Sequence, residues 1–189
     1  ETRRQIEEKL EEVQARFNIL AASRIDDEID TDPVSDAGLD ITEEECYEQA
    51  QDVLESTNPL HFPASFPEVF DGDESGFDVV LGNPPWQEAT LEEKEFWSRY
   101  IPGLQGMSQN QFEEARDRIR QERPDLVEQY ETELEEQQTR SKFIKQGPYP
   151  GAAAGGSAPD TYKAFAWRFY SLLSSNGHAG LVLPRSAFS

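Results

Sequence analysis

The chain has 189 residues, of which 36% are hydrophobic and 29% charged, and its formal net charge is −21. The length suffices for one sizeable core; no apolar run is long enough to span a membrane and no secretory signal is seen, so a cytoplasmic protein is expected. A single cysteine, Cys46, excludes an internal disulfide, and two isolated histidines, His61 and His178, offer no metal-binding set.

In residues 2–22, Ile6, Leu10, Val13, Phe17 and Leu20 alternate at spacings of four and three, which predicts an apolar stripe on a charged helix. Residues 26–40 read as an acidic linker. Thr42 with Glu45 has the capping-box pattern, for a helix that reaches about Glu55 and buries Ala50, Val53 and Leu54. Together these pieces form an acidic helical accessory segment over residues 1–58. Pro59 to Phe70 is an apolar, proline-rich loop that must pack on something, with Glu68 as its candidate for shaping a site.

Residues 77–86 read Phe-Asp-Val-Val-Leu-Gly-Asn-Pro-Pro-Trp. Phe77, Val79, Val80 and Leu81 form the short, β-branched-rich run of a strand buried on both faces. Gly82 ends it. Two successive prolines then fix φ and remove two N–H donors, and each biases the residue before it toward extended geometry. The product is a stiff turn at the C-terminal end of a buried strand, where open α/β sheets bind ligands. It closes a loop-and-strand unit over residues 59–86.

Residues 87–159 read as a helical insertion. Phe112, Ala115 and Ile119 mark one helix; Leu126, Tyr130 and Leu134 mark another, with Pro124 between them. Arg116, Arg118, Arg120 and Arg123 form its cationic cluster, read as partners of neighbouring acids, with contact to DNA beside the target base as the alternative. Gly151–Ser157 reads as a flexible linker. Residues 160–189 form a helix–strand unit. Tyr162, Phe165, Phe169, Leu172 and Leu173 recur as on the buried face of a helix, Asn176-Gly177 supplies a helix stop, and Ala179–Leu183 is a short strand closed by Pro184.

The turn suits a planar ring that bears an amino group. The Asn83 side-chain oxygen and the Pro84 carbonyl can accept from an exocyclic NH2, and Trp86 can stack on the ring. Asn-Pro-Pro-aromatic after an apolar strand resembles the catalytic motif of amino-methylating, mostly N6-adenine, DNA methyltransferases. The longer run, with Phe66-Pro-Glu-Val-Phe70 before it and Asp160-x-Tyr162-x-x-Phe165, Gly180-Leu-Val-Leu-Pro184 and Phe188 after it, resembles the large adenine-specific methylases of restriction–modification and phage-defence systems. The resemblance rests on residues 60–86 and 160–189.

That resemblance implies an α/β chain, part of a Rossmann-like S-adenosylmethionine-dependent methyltransferase domain with helical insertions. It implies Asn83, Pro84, Pro85 and Trp86 as the catalytic turn, and Asp160 and Tyr162 near the cofactor and target pockets. The cofactor would be S-adenosylmethionine, and the partner double-stranded DNA with its target adenine flipped out. The family's Gly-rich cofactor turn has no counterpart before residue 77, nor in Asp71–Gly76 or Gly151–Ser157. The chain is therefore read as part of a larger polypeptide that supplies that half. The same fold acting on RNA or protein glutamine is an alternative, as is a non-catalytic relic or partner-binding module.

Charge is unevenly spread. Residues 1–76 hold 22 acids and 5 bases, residues 77–150 hold 15 and 9, and residues 151–189 hold 1 and 3. Abundant Asp and Glu beside only five lysines is the surface of a protein at home in concentrated salt, where charge is screened. A halophilic source is expected; disordered acidic tails are the alternative, against which the helical patterns argue in part.

Overall fold

A computed structural model describes residues 3–55, 57–72, 75–152 and 158–188. The chain begins with helix α1 (Arg3–Ala22). Its inward face is Ala15, Ile19 and Ala22, spaced four and three apart, whereas Val13 and Leu20 of the expected stripe are exposed. Ile6 lies outside the described side chains. The reason is close helix packing. Helix α2 (Glu45–Leu54) presents Cys46, Ala50 and Leu54 to α1, and alanines on both sides let the helices approach.

Residues 26–40 are a packed loop rather than a free linker. Ile29 is buried in the α1–α2 core, and the Arg16 guanidinium donates to the carbonyls of Val34 at 2.7 Å and Leu39 at 2.9 Å while pairing with Glu12. The Thr42–Glu45 capping box does not form. Asp40 instead accepts from the Thr42 amide and hydroxyl, capping a 3-10 turn (Ile41–Glu43), and α2 follows it directly. Cys46 is buried, and burial first, then Glu44 and Asp30, pushes its thiol pKa up.

The proline-rich segment folds into two single-turn helices, α3 (Phe62–Ser65) and α4 (Pro67–Phe70). Phe62, Phe66 and Phe70 all meet the Phe77 ring edge-on, with centroids 5.4–6.1 Å apart. That aromatic cluster seals the start of β1 (Phe77–Gly82). Of the acidic loop after it, Asp73 and Glu74 lie outside the described residues.

β1 pairs in parallel with β2 (Leu173–Leu181), and a parallel pair requires a crossover connection. Here the crossover is long and helical: α5 (Glu93–Ser98), α6 (Gln109–Glu122), α7 (Pro124–Gln146) and α8 (Thr161–Ser171). Pro124 opens α7 at the position where its missing N–H is harmless. Phe96, Trp97, Leu104, Phe112 and Leu126 build the insertion's own core. At roughly 1.5 Å per residue α7 is about 34 Å long. Its first half packs in that core, while Phe143 and Ile144 near its end join the α1–α2 core and a small cluster with Ala89, Ala152 and Ala164.

The register of the sheet corrects two expectations. Between Phe77↔Leu173 and Val79↔His178, two steps along β1 meet five along β2, so β2 bulges. Asn176 and Gly177 lie in this bulge, within a strand, and are not a helix stop; α8 has already ended at Ser171. Nor is β1 buried on both faces: Val79 is 59% exposed and Leu81 78%. Among the described residues the sheet has two strands, with Phe169 of α8 against Gly82 on one face while Val79 and Leu81 on the other are uncovered. Phe165 of α8, expected inside, is also exposed. Residues 153–157 of the Gly/Ala segment lie outside the described residues. No described helix is long and apolar enough to cross a membrane.

Candidate active site

β1 delivers its last residue, Gly82, to the C-terminal edge of the sheet, and Asn83-Pro84-Pro85-Trp86 follows outside any helix or strand. Pro84 is buried while Asn83, Pro85 and Trp86 are exposed. The turn is anchored at both ends. Gly82 accepts from the Val182 amide at 3.0 Å, and the Trp86 indole donates to the Val182 carbonyl at 3.2 Å. An aromatic ring held at its N–H and 51% exposed has a free face for stacking. Neither the Asn83 amide nor the Pro84 carbonyl hydrogen-bonds to another described residue.

The chain beyond the turn runs straight to the start of α8. Glu88 and Asp160 form an antiparallel bridge, the Ala89 amide donates to Pro159 at 2.9 Å, and the Thr161 amide donates to Gln87. This short zipper places Asp160 and Tyr162, 74 and 76 positions after Trp86 in sequence, on the backbone that continues from Trp86. Tyr162 is buried. The Asp160 carboxylate pairs with Lys163, whose ammonium also lies over the Tyr162 ring at 5.8 Å. Hydrogen bonding to Asp160 is the main reason the Lys163 pKa is raised.

Glu68 stands apart from the turn. It is exposed on α4, before the N-terminal end of β1, whereas the turn leaves the C-terminal end, about 17 Å away along a six-residue strand. Sequence reasoning missed the Val182 carbonyl and the Gln87–Ala89 zipper. Both act through main-chain atoms, which leave no side-chain pattern to read.

The stretch from residue 6 to residue 126, more than half of the chain, matches the Eco57I restriction-modification methylase family. The chain belongs to that family. The matched stretch of this methylase takes in the accessory helices α1 and α2, the catalytic-type turn and the insertion as far as the start of α7. The α8–β2 unit lies beyond it and is tied to the turn by geometry alone. No curated protein and no solved structure matches the chain.

Proposed function

We propose that this methylase chain carries the base-accepting side of a DNA-adenine N6 methyltransferase site, in a restriction–modification or phage-defence protein. The observation that carries the reading is the turn itself: two hydrogen-bond acceptors without partners among the described residues, beside an exposed aromatic ring that is held in place. A flipped adenine fits this inventory. Its amino group donates one hydrogen to the Asn83 side-chain oxygen and one to the Pro84 carbonyl, and its ring stacks on Trp86. Accepting both N–H bonds holds the nitrogen lone pair out of the ring plane and aims it at the methyl donor. Pro85 keeps the turn rigid.

S-adenosylmethionine is the donor expected for such a methylase; it supplies an electrophilic methyl group. The described residues fit the acceptor side of that reaction and not a full donor pocket. β1 leads into Asn83-Pro84 and β2 into Pro184, and neither strand is followed by a glycine-rich turn that opens a helix. Asp160 and Tyr162, zipped beside the turn, are the proposed edge of the donor site. A Rossmann-like domain that continues beyond this strand pair would supply the rest, and helices on its second face would cover Val79 and Leu81.

The test uses the intact protein in concentrated KCl with DNA and S-adenosylmethionine, and N6-methyladenine is quantified by mass spectrometry. Methylation by the wild type that falls at least about a hundredfold in Asn83→Ala, the scale of losing a transition-state acceptor, is the expected result. A folded, cofactor-binding wild type that leaves adenine unmethylated overturns the reading.

A further inference from the structure

The charge of this chain divides more sharply than any of its structural units. Residues 1–136 carry 11 bases and 37 acids, a net −26, whereas residues 137–189 carry 6 bases and 1 acid, a net +5. The boundary falls inside one helix. The first half of α7, residues 124–136, has six acids and no base; residues 137–146 have three bases and no acid. Lysine next to a helix C-terminus complements the helix dipole within the last turn. That effect reaches Lys145 and does not account for an acid-free stretch of ten residues.

The basic half of α7 lines a groove of about 580 Å³ whose opposite wall is Ala89–Leu91 and Ala158. Gln137, Gln138, Ser141, Lys142 and Lys145 line it on that side. Among the described residues Lys142 pairs with Asp27, at 3.2 Å on the exposed surface. Among the described residues the other four have no side-chain hydrogen bond or ion pair within the chain. The groove is thus lined with unengaged amide, hydroxyl and ammonium donors.

Its location links it to the turn. The wall residue Ala89 lies three residues after Trp86, at most about 10 Å along extended chain, and its amide is bonded to Pro159 in the same zipper that joins the turn to α8. DNA places a phosphate about every 3.4 Å of helix axis on each strand. The phosphates of the near neighbours of a base stacked on Trp86 are therefore within reach of this groove.

We propose that the groove between Ala89–Leu91 and the C-terminal half of α7 holds the sugar-phosphate backbone of the strand flanking the target nucleotide. Lys142 and Lys145 neutralise phosphates, and Gln137, Gln138 and Ser141 donate to phosphate and sugar oxygens. The inference rests on the DNA reading of the turn. It explains how a protein of net charge −21 engages a polyanion: the positive potential is local and adjacent to the reacting base.

The test is the salt dependence of binding. The intact protein is titrated into a fluorescently labelled duplex of mixed sequence over a KCl series in which circular dichroism reports an unchanged fold. Each phosphate contact contributes about 0.9 to the slope of log affinity against log salt. Lys142→Gln/Lys145→Gln is expected to lower the slope by close to 2, while the charge-matched Arg118→Gln/Arg120→Gln on α6 leaves it unchanged. An unchanged slope in the lysine variant, an equal fall in both variants, or no duplex binding by the wild type overturns the groove assignment. Methylation is scored separately. A wild type that does not methylate but shows the lysine-specific slope change loses the adenine reading and keeps the groove; methylation with an unaffected slope has the opposite meaning.

Discussion

A Cβ on residue 82 would stand 2.7 Å from Cε2 of Phe169, so the last residue of β1 is glycine because α8 crosses directly over it. Gly82→Ala pushes that ring away from the root of the turn. Overpacking of this kind destabilises by about 1–3 kcal/mol, and a lower urea midpoint for Gly82→Ala that Phe169→Leu restores in the double variant is the expected outcome. His61 is a second informative residue. Its ring stacks on Phe17 at 5.4 Å, and Nε2 lies 2.7 Å from Asn18 Oδ1, an atom that only accepts, so Nε2 carries the proton. Burial first, then the Arg168 and Arg24 charges, lowers its pKa below the ordinary histidine value. The folded protein therefore holds the neutral ring, and the unfolded chain binds a proton more readily. The stability it contributes is complete above about pH 6.5 and is lost as the pH falls below that value. Measured in urea, the advantage of the wild type over His61→Gln should shrink between about pH 7.5 and about pH 5.5.

Single clasps hold whole elements. Arg16 fastens the acidic loop to α1 by donating to three of its carbonyls, and its side chain is largely covered. Arg16→Met keeps the aliphatic packing and removes the donors. A loss of about 2–3 kcal/mol follows from charged hydrogen bonds to main chain, read as a lower thermal midpoint and faster amide exchange in residues 34–40. In the insertion, Phe96, Trp97 and Tyr130 form a ring cluster with centroids 5.0–5.6 Å apart. Trp97 is fully buried and its indole N–H has no partner among the described residues. Its value lies in volume. Trp97→Ala is expected to destabilise the insertion by about 3–5 kcal/mol, and Trp97→Phe by much less, because it also removes the unpaired donor. α7 joins these elements, with one half in the insertion core and the other against α1, where Arg24 covers the Phe143 ring at 5.4 Å.

For the whole molecule, the net charge of −21 dominates. The described ion pairs are few and mostly on the surface, such as Arg99–Glu133 and Arg123–Asp125; pairs of this kind contribute little each. The Arg cluster of α6 conforms in part to its solvated reading: Arg116 meets Asp117 and Glu93. Most of the acids face solvent and repel one another, and salt screens that repulsion. The halophilic reading therefore expects the thermal midpoint to climb steadily as KCl is raised from dilute buffer to concentrated solution. A flat response would show that the acidic surface is not an adaptation to salt.

The sequence by itself determined the strand from Phe77, the turn Asn83–Trp86, the break at Pro124 and the two helices around it, because each rests on local chemistry: β-branched runs, paired prolines and a ring that lacks an N–H. It also marked the segments of accessory helix. Which face each helix buries was decided only by tertiary packing. Ala15, Ile19 and Ala22 win over Val13 and Leu20 in α1 because alanines let α2 come close, which no hydropathy pattern records. The exposed face of β1 and the bulge at Asn176-Gly177 depend on which strand lies alongside, and that partner begins more than ninety residues away. The same holds for the site. The residues of the turn could be named from their order along the chain, but the indole bond to Val182, the zipper to Asp160 and the basic groove beside them exist only once distant backbone segments meet.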